Sequence, residues 1–315
     1  MTALDAIDTY LASRRALGVR LERDGRTLHQ FARETGNVPF SKITPDVASA
    51  FLRGSRRAPT ATWKTKRSVL TGFYRFAIAR GLVDSSPLPM YLPQLVPPQT
   101  PYVYSTGELQ RLLDATAVLY HPASRLQGAT YRTLLLLLYG TGLRVGEAIA
   151  LRLRDVDLTE RVITVRDTKF YKTRLVATGL RLSRELAAHA NRRSSLALPE
   201  GQDSALLCSR TGHGLSYGQV ITVFQRVRFA AGIGRPPGEL RPPRLHDLRH
   251  TAAVHRVIAW YRSGMDVQRL LPRLATYLGH VDIRSTQRYL QMTPELLREA
   301  SRRFATYAGQ EVEHE

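Results

Sequence analysis

The sequence predicts a mainly α-helical protein with a small antiparallel sheet, organised as a helical N-terminal domain and an α+β second domain. Three observations carry this. Apolar residues recur at helical spacing through most of the 315 residues. The period shortens to alternating, β-branched runs only in "LRDVDL", "RVITVRD" and "TRLVAT". Between them in chain order and the first helices lies "SSPLPMYLPQLVPPQTP", Ser85 to Pro101, whose six prolines suit neither a helix nor a central strand. The length also fits about two domains.

Each element has its own local reason. In "ALDAIDTYLASRRALG", Leu4, Ile7, Leu11 and Leu17 fall near one helical face. "DGRTLHQFARETG" and "TPDVASAFLRG" each begin at a capping residue and stop near a glycine. "TATWKTKRSVLTGFYRFAIARG" sets Trp63, Val69, Leu70, Phe73 and Phe76 on an apolar face, with Lys64, Lys66, Arg67 and Arg75 among them. Such a helix can pack one side and offer cations to phosphates on the other; a merely solvated basic face is the plain alternative. Domain boundaries follow at 1–84 (helical), 85–104 (proline-rich linker) and 105–315. The second domain opens with Ser105 and Glu108 at capping-box spacing. A buried helix in "YRTLLLLLYGTG" and a short one in "RVGEAIAL" come next, then the three strands. Further helices are expected over Leu182–Leu196, Ser216–Ala231, His246–Ser263, Val267–Tyr277, Arg284–Met292 and Pro294–Tyr307.

Composition narrows the function. A net charge of +20, with an isoelectric point near 10.7, calls for a polyanionic partner, nucleic acid first. The single Cys208 allows neither an internal disulfide nor a cysteine zinc cluster. The longest apolar run, Leu134–Tyr139, is too short to span a bilayer, and the N-terminus carries an early acid and no signal-peptide core. A cytoplasmic, nucleoid-associated protein with no membrane partner is expected.

Four places in the second domain hold chemistry-bearing residues. "GTGLRVGEAIAL" puts Arg144 where a helix begins after a glycine turn. "DTKFYKTR" puts Lys169, with Lys172 close by, at a turn between strands. "RLHDLRHTAAVH" puts His246 and Arg249 one helical turn apart on one face. "LGHVDIRSTQRYLQM" places His280 after a glycine and Tyr289 nine residues later. Taken singly, each has an ordinary reading: a surface arginine, a solvated turn lysine, a satisfied histidine, an Arg249 paired with Asp247 or Glu239, a packed tyrosine.

Together they suit phosphoryl transfer. A tyrosine hydroxyl, with a pKa of about 10, needs help to attack phosphorus, and a covalent intermediate divides the exchange into two easier steps. The transition state spreads negative charge over non-bridging oxygens, and two guanidinium forks, Arg144 and Arg249, match those oxygens. Lys169 on a hairpin can protonate the leaving 5′ oxygen, with Lys172 as competitor. His246 can take and return the tyrosine proton, and His280 can hydrogen-bond a phosphate oxygen. Neither a metal nor any other cofactor is called for: no carboxylate cluster is evident, and a phosphotyrosine bond would retain the energy of the broken linkage.

The ordered set resembles the tyrosine recombinases, the phage integrase family. "TGLRVGEAIALRLRDVD" is similar to its first-arginine box, "HDLRHTAA" to its His-x-x-Arg box, and "LGH" with the later tyrosine to its last. The resemblance covers the second domain; the helical first domain matches the core-binding domain of the family by arrangement. It implies Arg144, Lys169, His246, Arg249 and His280 as activating residues and Tyr289 as nucleophile. It further implies strand exchange at a double-stranded DNA recombination site by a homotetramer, for integration, excision or transposition, with accessory DNA-bending or related recombinase proteins as further partners. Two features depart from the pattern. Tyr289 is followed by Leu290-Gln291 where many members have Tyr-x-His, and "VIAWYRSGMDVQRLLPRLATY" is longer than in compact members, which favours a mobile-element recombinase and predicts an extended helix or loop. A type IB topoisomerase and a non-cleaving DNA-binding regulator are the rival readings. The closing segment, with Leu296, Leu297, Ala300 and Phe304 on one face, is expected to pack on its own domain or dock on a neighbouring subunit.

Overall fold

The computed structural model describes the chain apart from residues 20, 37, 56–58, 60, 95–99, 167–172, 200, 281, 283–285, 287–295, 303 and 306–315. It divides into two compact units, Met1–Gln99 and Thr100–Glu315.

The described residues of the first unit form four α-helices: α1 (Ala3–Ala16), α2 (Glu22–Glu34), α3 (Pro45–Arg53) and α4 (Ala61–Ala79). Thr2 and Asp5 close a reciprocal capping box at the start of α1, Asp5 Oδ2 accepting from the Thr2 amide at 2.8 Å. Thr44 caps α3, with Pro45 in its first turn. The other three helices all pack on α4, around a core of Ile7, Leu11, Leu28, Phe31, Phe51, Leu52, Trp63, Leu70 and Phe73. The expected α1 face is only half right. Ile7 and Leu11 are buried, but Leu4 is exposed and so, at 71%, is Leu17. It stands at the C-cap, beyond the helical repeat, and Ala3, Ala6 and Tyr10 complete the buried stripe instead.

The second unit is built around α6 (Gln127–Thr141), which packs against α7 (Val145–Ala150), α8 (Leu180–Ser194), α10 (Asp247–Arg262) and α5 (Thr106–Ala115). Its leucine run is buried almost all round, as a central helix requires. Ser105 and Glu108 form the capping box of α5. Strands β1 (Val156–Asp157), β2 (Val162–Val165) and β3 (Arg174–Ala177) make one antiparallel sheet in the order β1-β2-β3. Ile163 pairs with Val156 and Val176, and Ile163, Val165 and Val176 face the core. Helix α9 (Tyr217–Ala230) lies against α5 and α7.

Tyr102–Tyr104, at the end of the proline-rich segment, pack into this unit. Tyr104 is fully buried, its hydroxyl donating to the Arg244 carbonyl at 3.0 Å and its amide to Thr251 Oγ1 at 3.0 Å. Upstream, Leu88 packs on the first unit's core. The long stretch after the His-x-x-Arg box is helical: α10 ends at Arg262 and α11 (Val267–Leu278) follows a four-residue turn. Helices α10 and α11 enclose a second cluster that includes Leu296. Residues 296–302 are helical, but the face foreseen there divides: Leu296 is buried, while Leu297 and Phe304 are 61% and 73% exposed. No helix among the described residues is long and apolar enough to cross a membrane.

Candidate active site

The site is assembled from helix ends. Helix α6 stops at Gly142, whose φ of 65° is the left-handed cap that glycine adopts without penalty. The chain turns there and enters α7 with Arg144 at the N-cap, in extended backbone. Helix α11 stops the same way at Gly279, φ 71°, and delivers His280. His246 is the N-cap of α10, and Arg249 lies in its first turn.

Glu147 organises this meeting of elements. Its Oε2 accepts the Arg144 amide at 2.9 Å, and its Oε1 accepts Arg144 Nη1 at 2.8 Å. Arg174, the first residue of β3, adds a two-pronged pair: Nη1 to Oε1 at 3.0 Å and Nη2 to Oε2 at 2.8 Å. Burial alone would raise the Glu147 pKa, but the hydrogen bonds from Arg174 and Arg144 outweigh it and bring it down to about 2. Arg144 Nη2 reaches the Gly279 carbonyl at 2.9 Å, joining the start of α7 to the end of α11. Arg249 is buried and donates Nη1 to the Gly142 carbonyl and Nη2 to the Leu278 carbonyl, the latter at 2.6 Å. Both guanidiniums are thus pinned at the C-terminus of α11, and Arg249 also at that of α6.

The histidines sit in the field of these cations. His280 Nδ1 is 2.8 Å from the buried Thr286 hydroxyl. Burial, then Arg249, Arg144 and Arg174, push its pKa down to about 4. Desolvation and Arg249 also lower His246, whose ring packs edge-on against His250 with centroids 4.9 Å apart. His250 is driven down to about 3, by burial first and then by its cationic neighbours. The shifts favour the neutral form of all three rings.

Arg144, His246, Arg249 and His280 are accordingly brought to one place. Asp247, named as a possible partner of Arg249, pairs with Arg244 at 2.8 Å. Lys169 and Lys172 fall in the segment that joins the paired residues Val165 and Arg174, and Tyr289 follows Thr286; all three lie outside the described residues. In the first unit Lys64 is exposed. Lys66 donates to the Phe51 carbonyl at 2.9 Å and sits over the Phe51 ring, and Arg67 donates twice to the Pro89 carbonyl, at 3.0 and 3.2 Å. Among the described residues no group of three or more His, Cys, Asp or Glu is placed to hold a metal ion.

The sequence reading missed Glu147, Arg174 and Thr286. Glu147 carried a usable signal, since it follows Arg144 at capping spacing and so turns a carboxylate back onto the Arg144 amide. Arg174 gave none, because its partners are remote in the chain.

The model of the phage integrase family matches residues 105–295. The chain belongs to the phage integrase family. This tyrosine recombinase is 35% identical over 306 residues to a Sinorhizobium fredii protein named integrase/recombinase y4rB, covering 96% of each chain. It is 31% identical over 305 residues to the tyrosine recombinase XerC of Mycobacterium sp. (strain KMS), covering 94% of this chain and 96% of the other. Among solved structures, the recombinase shares its fold with the Tn1549 transposon integrase in complex with transposon right end DNA. The TM-score is 0.69 at 17% identity, over 97% of this chain and all of the other.

Proposed function

We propose that this recombinase cleaves and rejoins a double-stranded DNA recombination site through a 3′-phosphotyrosyl bond to Tyr289, without metal or ATP, for the integration, excision or transposition of a mobile element. The observation that carries the reading is the convergence of Arg144 and Arg249 on the ends of α6 and α11, beside His280. Arg144 keeps N–H groups beyond those that Glu147 and the Gly279 carbonyl take, and with the charge of Arg249 beside it these suit the non-bridging oxygens of a scissile phosphate. If the Thr286 hydroxyl donates to His280 Nδ1, the neutral ring carries its proton on Nε2, the tautomer that donates to a phosphate oxygen. A neutral His246 suits acceptance of the tyrosine proton. Lys169 serves as general acid to the leaving 5′ oxygen, with Lys172 the alternative. The attacked phosphorus exchanges its 5′ oxygen for the tyrosine oxygen, so the bond count is unchanged and no nucleotide need be spent. Four protomers on DNA, with the first unit contributing basic contacts through Lys64 and its neighbours and accessory DNA-bending proteins in attendance, complete the reading.

A covalent trap tests it. The protein is incubated with nicked DNA fragments drawn from around its own gene, denatured, and the protein-linked DNA sequenced, with Tyr289→Phe alongside. Adducts at discrete sequences in the wild type and none in the variant are expected. DNA binding by both proteins with adducts from neither would instead favour a non-cleaving regulator.

A further inference from the structure

We propose that Arg174 is a positioning residue for strand cleavage: through Glu147 it ties the β2–β3 hairpin that carries Lys169 to the phosphate-binding Arg144. The inference rests on the cleavage reading above and adds to it a residue whose fork is taken up by Glu147.

Three observations support it. First, Arg174 stands at the root of the hairpin, opposite Val165, where the connection bearing Lys169 returns to the sheet. Second, its guanidinium occupies both oxygens of Glu147, the carboxylate that also holds the Arg144 amide and Nη1. Glu147 and Arg174 are only 11% and 15% exposed, so this pair is shielded from water, whereas Arg144 is 40% exposed. Without Arg174, Glu147 is free to take Arg144 as a two-pronged partner and draw its fork away from a phosphate. Third, the Arg174 guanidinium lies flat against Gly279: a Cβ there would come 2.8 to 3.1 Å from its nitrogens and Cζ. The same Gly279 gives its carbonyl to Arg144 and precedes His280. One side chain therefore contacts the hairpin root, the Arg144 carboxylate and the turn that presents His280. Its Nε is buried with no acceptor among the described residues, a cost that the pair to Glu147 must offset. An arginine kept solely for a stable surface would not need this location.

The test uses a duplex bearing the cleavage sequence recovered by the trap, in three forms: native; with sulfur in place of the leaving 5′ oxygen; and with a methylphosphonate at the scissile position. Sulfur leaves without a proton and so needs no general acid. The methylphosphonate removes the charge that the arginine forks serve. Single-turnover adduct formation is measured for the wild type and for full-length Arg174→Gln. The variant is expected to slow cleavage of the native duplex by about 10- to 100-fold, in the range of a misplaced acid catalyst. That deficit is expected to shrink several-fold on one or both modified duplexes. A deficit of the same size on all three duplexes, or none on the native one, overturns the inference. Comparison of substrates within one preparation cancels any loss of folded protein, and Arg174→Lys, which keeps the charge without the fork, serves if the glutamine variant does not fold. Absence of wild-type adducts in the trap would instead overturn the cleavage reading itself, while wild-type adducts with an equal deficit on every duplex sink the Arg174 role alone.

Discussion

Replacing Glu147 with glutamine tests how the cation cluster is held. The substitution keeps the shape of the side chain and removes its charge, leaving the Arg174 fork shielded and without a counter-ion. The folded-state pKa of about 2 lies some 2.5 units below the ordinary value of 4.5. At 1.36 kcal/mol per unit, the ionised carboxylate contributes about 3 kcal/mol at pH 7. Because the folded pKa is depressed, that contribution is complete above about pH 5 and is lost as pH falls toward 2. Linkage gives about 1 kcal/mol remaining at pH 3. The stability gap between wild type and Glu147→Gln should therefore narrow from about 3 kcal/mol at pH 7 to about 1 kcal/mol at pH 3. The chain has two tryptophans, Trp63 in the first unit and Trp260 in the second, so urea unfolding in a Trp63→Phe background reads the second unit through Trp260 alone. A gap of equal size at both pH values would refute the electrostatic account, and so would a gap well under 1 kcal/mol at pH 7.

Two further outcomes follow from the packing. Gly142→Ala forces a Cβ at φ 65° and against Leu278 Cδ2, so a loss of roughly 1–3 kcal/mol and a melting temperature lower by several degrees are expected in calorimetry; an unchanged melting temperature would contradict this. Lys64 and Lys66 should separate by role. Lys64→Ala is expected to weaken DNA binding and lower the salt slope by about one, leaving stability unchanged. Lys66→Ala loses the charged bond to the Phe51 carbonyl and should destabilise the first unit by about 1–2 kcal/mol; the reverse pattern in gel shifts and melts would undo the assignment.

The legible features were those written in local chemistry. Arg144 at the start of a helix, the glycine stop of the leucine-rich helix and the capping box at Ser105 each depend on a few adjacent residues, and the structure has them in those places. The boundaries of α8 to α11 fall within two residues of the periodicity for the same reason. Leu17 failed because a periodic pattern does not say where the helix ends. Glu147 could be taken for an ordinary cap, and only its second role, as partner to an arginine 27 positions on, makes it the hub of the site. Arg174 resting on Gly279 joins residues 105 apart in sequence, and no local pattern encodes such a contact. Arg249, for which a pair with Asp247 or Glu239 was the ordinary reading, donates to two backbone carbonyls, because the ends of α6 and α11 bring acceptors to its buried fork.

That choice of acceptor has consequences for a site meant to meet a polyanion. Arg144, Arg174 and Arg249 crowd around two helix ends, and the shielded Glu147 carboxylate joins the first two. Further carboxylates would hold the guanidiniums more tightly, but each would cancel a charge and compete with phosphate for the same forks. Carbonyls at a helix C-terminus orient a guanidinium through their partial negative charge and leave its full charge in place. Burial and then that surplus bring the His280 pKa down to about 4: three arginines lower it and Glu147 opposes them. In the proposed reaction a neutral His280 donates to a phosphate oxygen without adding to the repulsion that the fold must contain. In that proposed reaction the Gly142, Leu278 and Gly279 carbonyls thus reconcile two demands that conflict elsewhere in proteins, a fixed cluster of cations and a field left open for an incoming anion.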